Sequence, residues 1–204
     1  VKSDGCILRN FSEQKLIEHG EDPSDPAGYF IINGSERVIV GLEDLSYNKI
    51  MVDIEKVGGK KVFKAKVYSS IVGYRAKLEL ILKDDGLVVA KIPGSPVDIP
   101  IITLMRALGL ESDKEIAGVV SLVDDLQDEL EGSFEKAVDV ATSKDAIVYI
   151  SKRIAPGMLE EFQIKRAETL LDWGLLPHLG KHPENRKEKA QFLGEAACKL
   201  LELK

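Results

Sequence analysis

The hydrophobic period of this chain changes near residue 98, and that change bounds what it can fold into. Before it, apolar residues alternate with lysines in Phe63-Lys64-Ala65-Lys66-Val67 and hold every second place in Ala76-Lys77-Leu78-Glu79-Leu80-Ile81-Leu82. A period of two sends alternate side chains to opposite faces, so each segment reads as a strand with one buried side. Asn33-Gly34 stands between two β-prone runs in GYFIINGSERVIV, residues 28–40. That pair suits a type I′ turn, which needs positive φ at both central positions, and so predicts a hairpin. Asp85-Gly86 turns the chain into Leu87-Val88-Val89-Ala90 as a second hairpin, and Gly58-Gly59 supplies another turn. Upstream, the turn-rich EDPSDP of residues 21–26 ends a helix predicted from Phe11 to His19.

After residue 98 the period is near 3.6. Ile101, Leu104, Met105 and Leu108 share one helical face, with Pro100 in the first turn and Gly109 as the C-terminal cap. Ser112 and Glu115 form a capping-box pattern for a helix that turns Ile116, Val119, Val120 and Val123 inward. Ser143 is placed to cap a short helix ending near Ile150. Pro156-Gly157 then breaks the chain before a longer helix from Met158 to Trp173, and Leu193, Ala196, Ala197, Leu200 and Leu201 recur at helical spacing in a last helix. The layout is α+β, with β-hairpins and a small antiparallel sheet in the first half and a helical second half.

With 204 residues and 44% hydrophobic content the chain can bury a substantial core, in one or two domains. No stretch approaches the roughly 18–20 apolar residues of a membrane helix, so no membrane partner is expected. An uncapped apolar helix running to Lys204, and a start at Val1 rather than Met, point to a segment of a longer chain. Cys6 and Cys198 lie far apart with no CxxC pair, which argues against a disulfide framework or a zinc site. There is no phosphate-binding glycine loop, HExxH, GxSxG or dinucleotide fingerprint. His178 and His182 are four apart, but Gly180 between them and Pro183 after them keep them off one helical face, so no metal site is read there. The acidic pairs Asp84-Asp85 and Asp124-Asp125 fit a hairpin turn and an acidic helix better than metal ligation.

The net charge of -6 argues against a dedicated nucleic-acid module, because Lys and Arg supply most non-specific affinity for phosphates. The distribution is uneven. Residues 49–66 hold six lysines against two acids, and residues 121–139 hold seven acids against one lysine. Such runs either face different partners or are solvated faces.

Residues 21–50, EDPSDPAGYFIINGSERVIVGLEDLSYNKI, resemble the end of the first protrusion segment in the second-largest subunit of archaeal- or eukaryotic-type DNA-directed RNA polymerases. Two further stretches follow in the family's order. DIPIITLMRALGL, residues 98–110, resembles a segment of the lobe domain, and LLPHLG of residues 175–180 with KAQFLGEAACKLL of residues 189–201 resembles the lobe's closing helix. Ala27, where the family usually has glycine, and Ser46-Tyr47, where Ala-Pro is commoner, depart from the pattern.

The resemblance implies residues 1–55 as the end of a protrusion segment and residues 56–204 as the lobe. It implies part of a nucleotidyltransferase that makes RNA on a DNA template, cytoplasmic in an archaeon and nuclear in a eukaryote. The lobe forms one wall of the DNA cleft and docks initiation or cleavage factors. Magnesium and zinc are expected elsewhere in the parent polymerase, so the isolated fragment is expected to be inactive, with other polymerase subunits and downstream DNA as partners; the amphipathic patterning of both halves predicts that it folds alone as a monomer. Lys152, Arg153, Lys165 and Arg166 bracket the Pro156-Gly157 break and are candidates for phosphate contacts, or else are helix-surface charges paired with Glu160, Glu161 and Glu168. Asp124, Asp125, Asp128 and Glu129 are candidates for a basic partner surface. Arg106 is either a surface ion-pairing residue or a buried anchor. Two other classes stand beside this reading: an independent protein-interaction module using the same fold, and a small enzyme with an unrecognised site.

Overall fold

The structure is a computed structural model and describes residues 2–120, 133–134 and 140–203. The chain divides into two compact units, Val1–Leu45 and Ser46–Lys204. The division falls ahead of the expected break after residue 55, because Ile50–Val57 is one strand whose whole length pairs with its successor in the second unit.

In the first unit, α1 (Glu13–Glu18) begins where the Ser12 hydroxyl accepts from the Lys15 N–H, as expected for a polar residue at the N-cap. β1 (Phe30–Ile32) and β2 (Ser35–Arg37) pair antiparallel with Ile32 opposite Ser35, which leaves Asn33 (φ 50°) and Gly34 (φ 76°) as the predicted two-residue turn. Ala27 sits at φ 63°, in the left-handed region, which is a physical reason for glycine to be usual there. The Asp25 carboxylate accepts from the Ala27 N–H and from the Tyr29 hydroxyl at 2.6 Å. That bond to an anion pushes the Tyr29 phenol up to about 12.

The second unit is an antiparallel meander covered by helices. β3 (Ile50–Val57), β4 (Lys60–Ile71), β5 (Tyr74–Leu82), β6 (Val88–Lys91) and β7 (Ile99–Pro100) lie in sequential order. Gly58 and Gly59, both at positive φ, join β3 to β4 within this sheet. The alternation read from the sequence fixes the inner face: Ala65 opposes Leu80 and Val67 opposes Leu78, all four buried. β3 escaped the sequence reading because it is an edge strand, exposed or half-exposed along its length, and so carries no period-two pattern.

β7 runs straight into α2 (Ile101–Ala107), which is buried at every residue and forms the centre of the core. Gly109, at φ 100°, ends it, with the Leu110 N–H returning to the Met105 carbonyl. α3 (Asp113–Val120) buries Ile116 and Val120, while Val123 lies outside the described residues. α4 (Ser143–Ile154) packs on α2 and on α5 (Glu160–Thr169). A π turn, Leu170–Gly174, and two 3-10 turns, Pro177–Leu179 and Pro183–Asn185, lead to α6 (Arg186–Glu202), which lies on α3 and across β3 to β5.

Candidate nucleic-acid and partner interface

The four predicted cations lie on the α4–α5 pair. Thr142, one residue before the predicted cap, forms a reciprocal capping box with Asp145, and α4 continues past Ile150 to Ile154. The Gln163 amide donates to the Ala155 carbonyl at 2.9 Å in a buried site, so α5 itself closes the C-terminal end of α4. Lys152, Arg153, Lys165 and Arg166 are all exposed. The Arg153 guanidinium stands 4.3 Å from the centre of the Tyr149 ring, and Arg166 turns toward a cleft that Ile154 also lines. None of the four forms an ion pair with a carboxylate among the described residues, so pairing with Glu160, Glu161 or Glu168 is not what the structure shows. Asp124, Asp125, Asp128 and Glu129 lie outside the described residues.

The other basic stretch is partly neutralised. Glu55 on β3 accepts from Lys64 at 2.6 Å and from Lys66, and Lys60 pairs with Asp84 at 2.9 Å. The two lysine hydrogen bonds bring the Glu55 carboxyl down to about 2. Half of the six lysines of residues 49–66 therefore already hold a carboxylate.

The residues of the recurring sequence words hold elements together. Asn48, at φ 60°, accepts from the Ser70 N–H at 2.7 Å and donates to the Ser70 carbonyl at 3.2 Å, fixing the entry of β3 to the end of β4. Next to it, Tyr47 lies 4.5 Å under the Arg75 guanidinium. Arg106 is a buried anchor, donating to the Val140 carbonyl and to Asp113. The Ser69 hydroxyl accepts from the His178 N–H and lies 2.7 Å from His178 Nδ1, and the ring stands edge-on to Phe192. Burial lowers the His178 pKa and outweighs the attraction of Glu188.

Asp172 receives both forks of Arg186, at 2.7 and 2.8 Å. Lys189 is wholly buried, and its ammonium donates to the Leu171 and Asp172 carbonyls at 3.0 and 2.6 Å, which the π turn leaves without helical partners. Desolvation brings Lys189 down to about 8. At Gly194 a Cβ would lie 2.7 Å from the Val119 carbonyl oxygen, so only glycine lets α6 approach α3 this closely.

Two features were not read from the sequence. One is the cleft of about 250 Å³ between the π turn and the Pro93-Gly94 corner. The other is the exposure of Trp173 at its rim. The signal available was an aromatic residue beside Gly174, at the end of a helix whose period it does not follow.

A family model described as RNA polymerase Rpb2, domain 2, matches residues 46–204. The chain belongs to this family. Residues of the Rpb2 domain 2 match begin where the second compact unit begins, at Ser46. The chain is also 44% identical over 196 residues to DNA-directed RNA polymerase subunit Rpo2 of Saccharolobus solfataricus, covering 96% of this chain and 17% of that protein. It is 42% identical over 201 residues to subunit Rpo2N of Methanococcus vannielii, covering 97% of this chain and 40% of that one. For Rpo2N of Halobacterium salinarum the identity is 42%, over all of this chain and 39% of the relative. The chain thus spans well under half the length of these archaeal relatives.

Proposed function

We propose that this Rpb2 domain 2 chain is a non-catalytic part of a DNA-directed RNA polymerase: a wall of the DNA cleft that contacts backbone phosphates and docks transcription factors. The observation that carries the DNA contact is the set of four exposed cations on α4 and α5 with no carboxylate partner among the described residues. Phosphate contacts of this kind position a duplex without reading its sequence. In the parent enzyme the wall opposite would confine the DNA, so weak intrinsic contacts suffice. The reading extends to a cytoplasmic location in an archaeal cell and to other subunits of the polymerase as partners. Initiation or cleavage factors would meet the acidic residues Asp124, Asp125, Asp128 and Glu129, where complementary charge sets orientation and on-rate.

Bond making belongs elsewhere in this reading. The polymerase's magnesium and zinc would be held elsewhere in the parent enzyme; among the described residues no group of three His, Cys, Asp or Glu side chains is placed to hold a metal ion. The monomeric fragment is expected to incorporate no nucleotide when given template, nucleotides and magnesium.

The test is a titration of labelled duplex DNA at several salt concentrations. Dissociation constants at or above the range of roughly 10⁻⁴ to 10⁻⁶ M are expected, with the logarithm of affinity falling linearly with the logarithm of salt. Reversing Lys152 and Lys165 to Glu should weaken binding to all sequences alike and reduce the salt slope by about 2. Unchanged affinity and slope in that variant would remove the α4–α5 face from the DNA contact.

A further inference from the structure

The cleft beside the π turn shares Arg166 with the proposed phosphate contacts, but its depth has a different chemistry. Its depth is apolar, formed by Ile154 and Leu170, both buried, with the exposed Pro93 at its edge. Its rim carries two exposed aromatic rings, Tyr74 at 44% and Trp173 at 54% of their full accessibility. An indole left this open, on a π turn rather than a regular helix, is an unusual use of the residue that most favours burial at interfaces. The π turn accounts for the opening. It sends Leu170 and Leu171 inward, Trp173 outward, and leaves Gly174 where a Cβ would press on Leu170 at 3.0 Å.

Two cations stand at the cleft, Arg166 and Lys181. Among the described residues, Arg166 is the one charged residue in its lining. The Lys181 ammonium lies 4.5 Å above the Trp173 ring. On the far side of the Pro93-Gly94 corner, Lys91 borders a neighbouring hollow whose acid, Glu79, is paired with Lys77 at 2.6 Å. A volume of about 250 Å³ lies below the roughly 300–1,000 Å³ of small-molecule sites and suits one large apolar side chain.

We infer that this cleft receives a single large apolar side chain, Phe or Leu, from an acidic peptide segment of a partner protein, whose carboxylates lie against Arg166 and Lys181. The inference rests on the factor-docking reading above and names the chemistry of one docked segment. A nucleic acid is the less fitting occupant. Lys181 already covers one face of the indole, and the apolar depth offers a base almost nothing to hydrogen-bond.

Trp173 is the chain's single tryptophan, so its emission reports on the cleft directly. The 204-residue chain is titrated with a synthetic peptide of Asp and Glu flanking one Phe. A saturable blue shift is expected, weakened by roughly tenfold or more in Arg166→Glu and in the cleft-filling Thr169→Phe, and lost when the peptide's Phe becomes Ser. Thr169 and Arg166 are exposed, and Lys181→Glu serves as a further surface change should either variant lose its helical circular dichroism. The inference is overturned if no peptide shifts the emission, if the Ser peptide or a Lys-rich peptide with the same Phe binds equally well, or if single-stranded DNA alone gives the same blue shift of Trp173. Intact transcription factors are bound to the same chain in parallel. Factor binding without a peptide response leaves docking standing and removes only the cleft as its site.

Discussion

Replacing Gly194 with Ala tests the contact that closes the helical layer. Gly194 is buried in α6, and a Cβ built there lies 2.4 Å from Val119 Cγ1, 2.7 Å from the Val119 carbonyl oxygen and 3.0 Å from its carbonyl carbon. The side-chain contact can be relieved by a rotamer change, but the two backbone contacts cannot, so α3 must move away from α6. Overpacking of this kind costs typically 1–3 kcal/mol. Against that, alanine in a helix interior is better than glycine by about 1 kcal/mol. The balance is a loss of up to about 2 kcal/mol, or up to roughly 8 °C in Tm for a unit of this size. Gly118 is the control. It lies exposed in α3 with nothing within 4 Å of a built Cβ, so Gly118→Ala keeps the propensity gain of about 1 kcal/mol without the clash. Differential scanning calorimetry of the three proteins decides the matter. If Gly194→Ala melts at or above the parent temperature, the α3–α6 approach is not what requires glycine.

Two further predictions concern ionisation. Lys189 titrates near 8 folded and near 10.5 unfolded, so between those values the unfolded chain holds a proton that the folded chain has released. This site's contribution therefore rises with pH across that window, by up to about 3 kcal/mol. Chemical denaturation of the parent and of Lys189→Met over that range should show the difference between them moving in the parent's favour as pH increases, and a flat difference would contradict the buried ammonium. Glu55 goes the other way. Its carboxyl titrates near 2 folded and near 4.5 unfolded, so the stability it contributes is complete above about 4.5 and is lost as pH falls toward 2. Glu55→Gln should flatten the acid limb of a Tm-against-pH profile, and an identical slope in both proteins would show that the lysines gain nothing from the pair.

The sheet and most helices were legible because burial on one face leaves a period in the sequence. Leu78, Leu80 and Leu82 line the core side of β5, and Leu193, Ala196, Ala197, Leu200 and Leu201 the core side of α6, at the spacings those elements impose. β3 was not legible, because an edge strand faces solvent too evenly to leave a period. The state of Arg106 was not legible either. Its burial depends on Asp113 and on the Val140 carbonyl, from segments 7 and 34 residues away along the chain. The lysines of residues 49–66 illustrate the same limit for charge. Their number is plain in the sequence, but Glu55 reaches Lys64 only because the β3–β4 register puts Glu55 opposite Val62, with Lys64 as its diagonal neighbour. The cleft joins β5, the Pro93-Gly94 corner, α4, α5 and the π turn, and no local pattern announces a space between five segments.

The residues that carry the family likeness and those that carry the proposed contacts are largely different sets, and the difference has an experimental consequence. Asn48, Arg106, His178, Lys189 and Gly194 each fasten segments that are distant in sequence, and Arg106, Lys189 and Gly194 do so from buried positions. Changing any of them acts through the folded fraction, so DNA binding and factor docking should fall together and recover together when the temperature is lowered. Lys152, Lys165 and Trp173 are exposed and fasten nothing of that kind. Changing them should alter one ligand's affinity while leaving the stability within about 0.5 kcal/mol of the parent's. A motif match in this chain thus reports mainly on how the helical layer is locked to the sheet, and the ligands must be sought on the surface between the matching words.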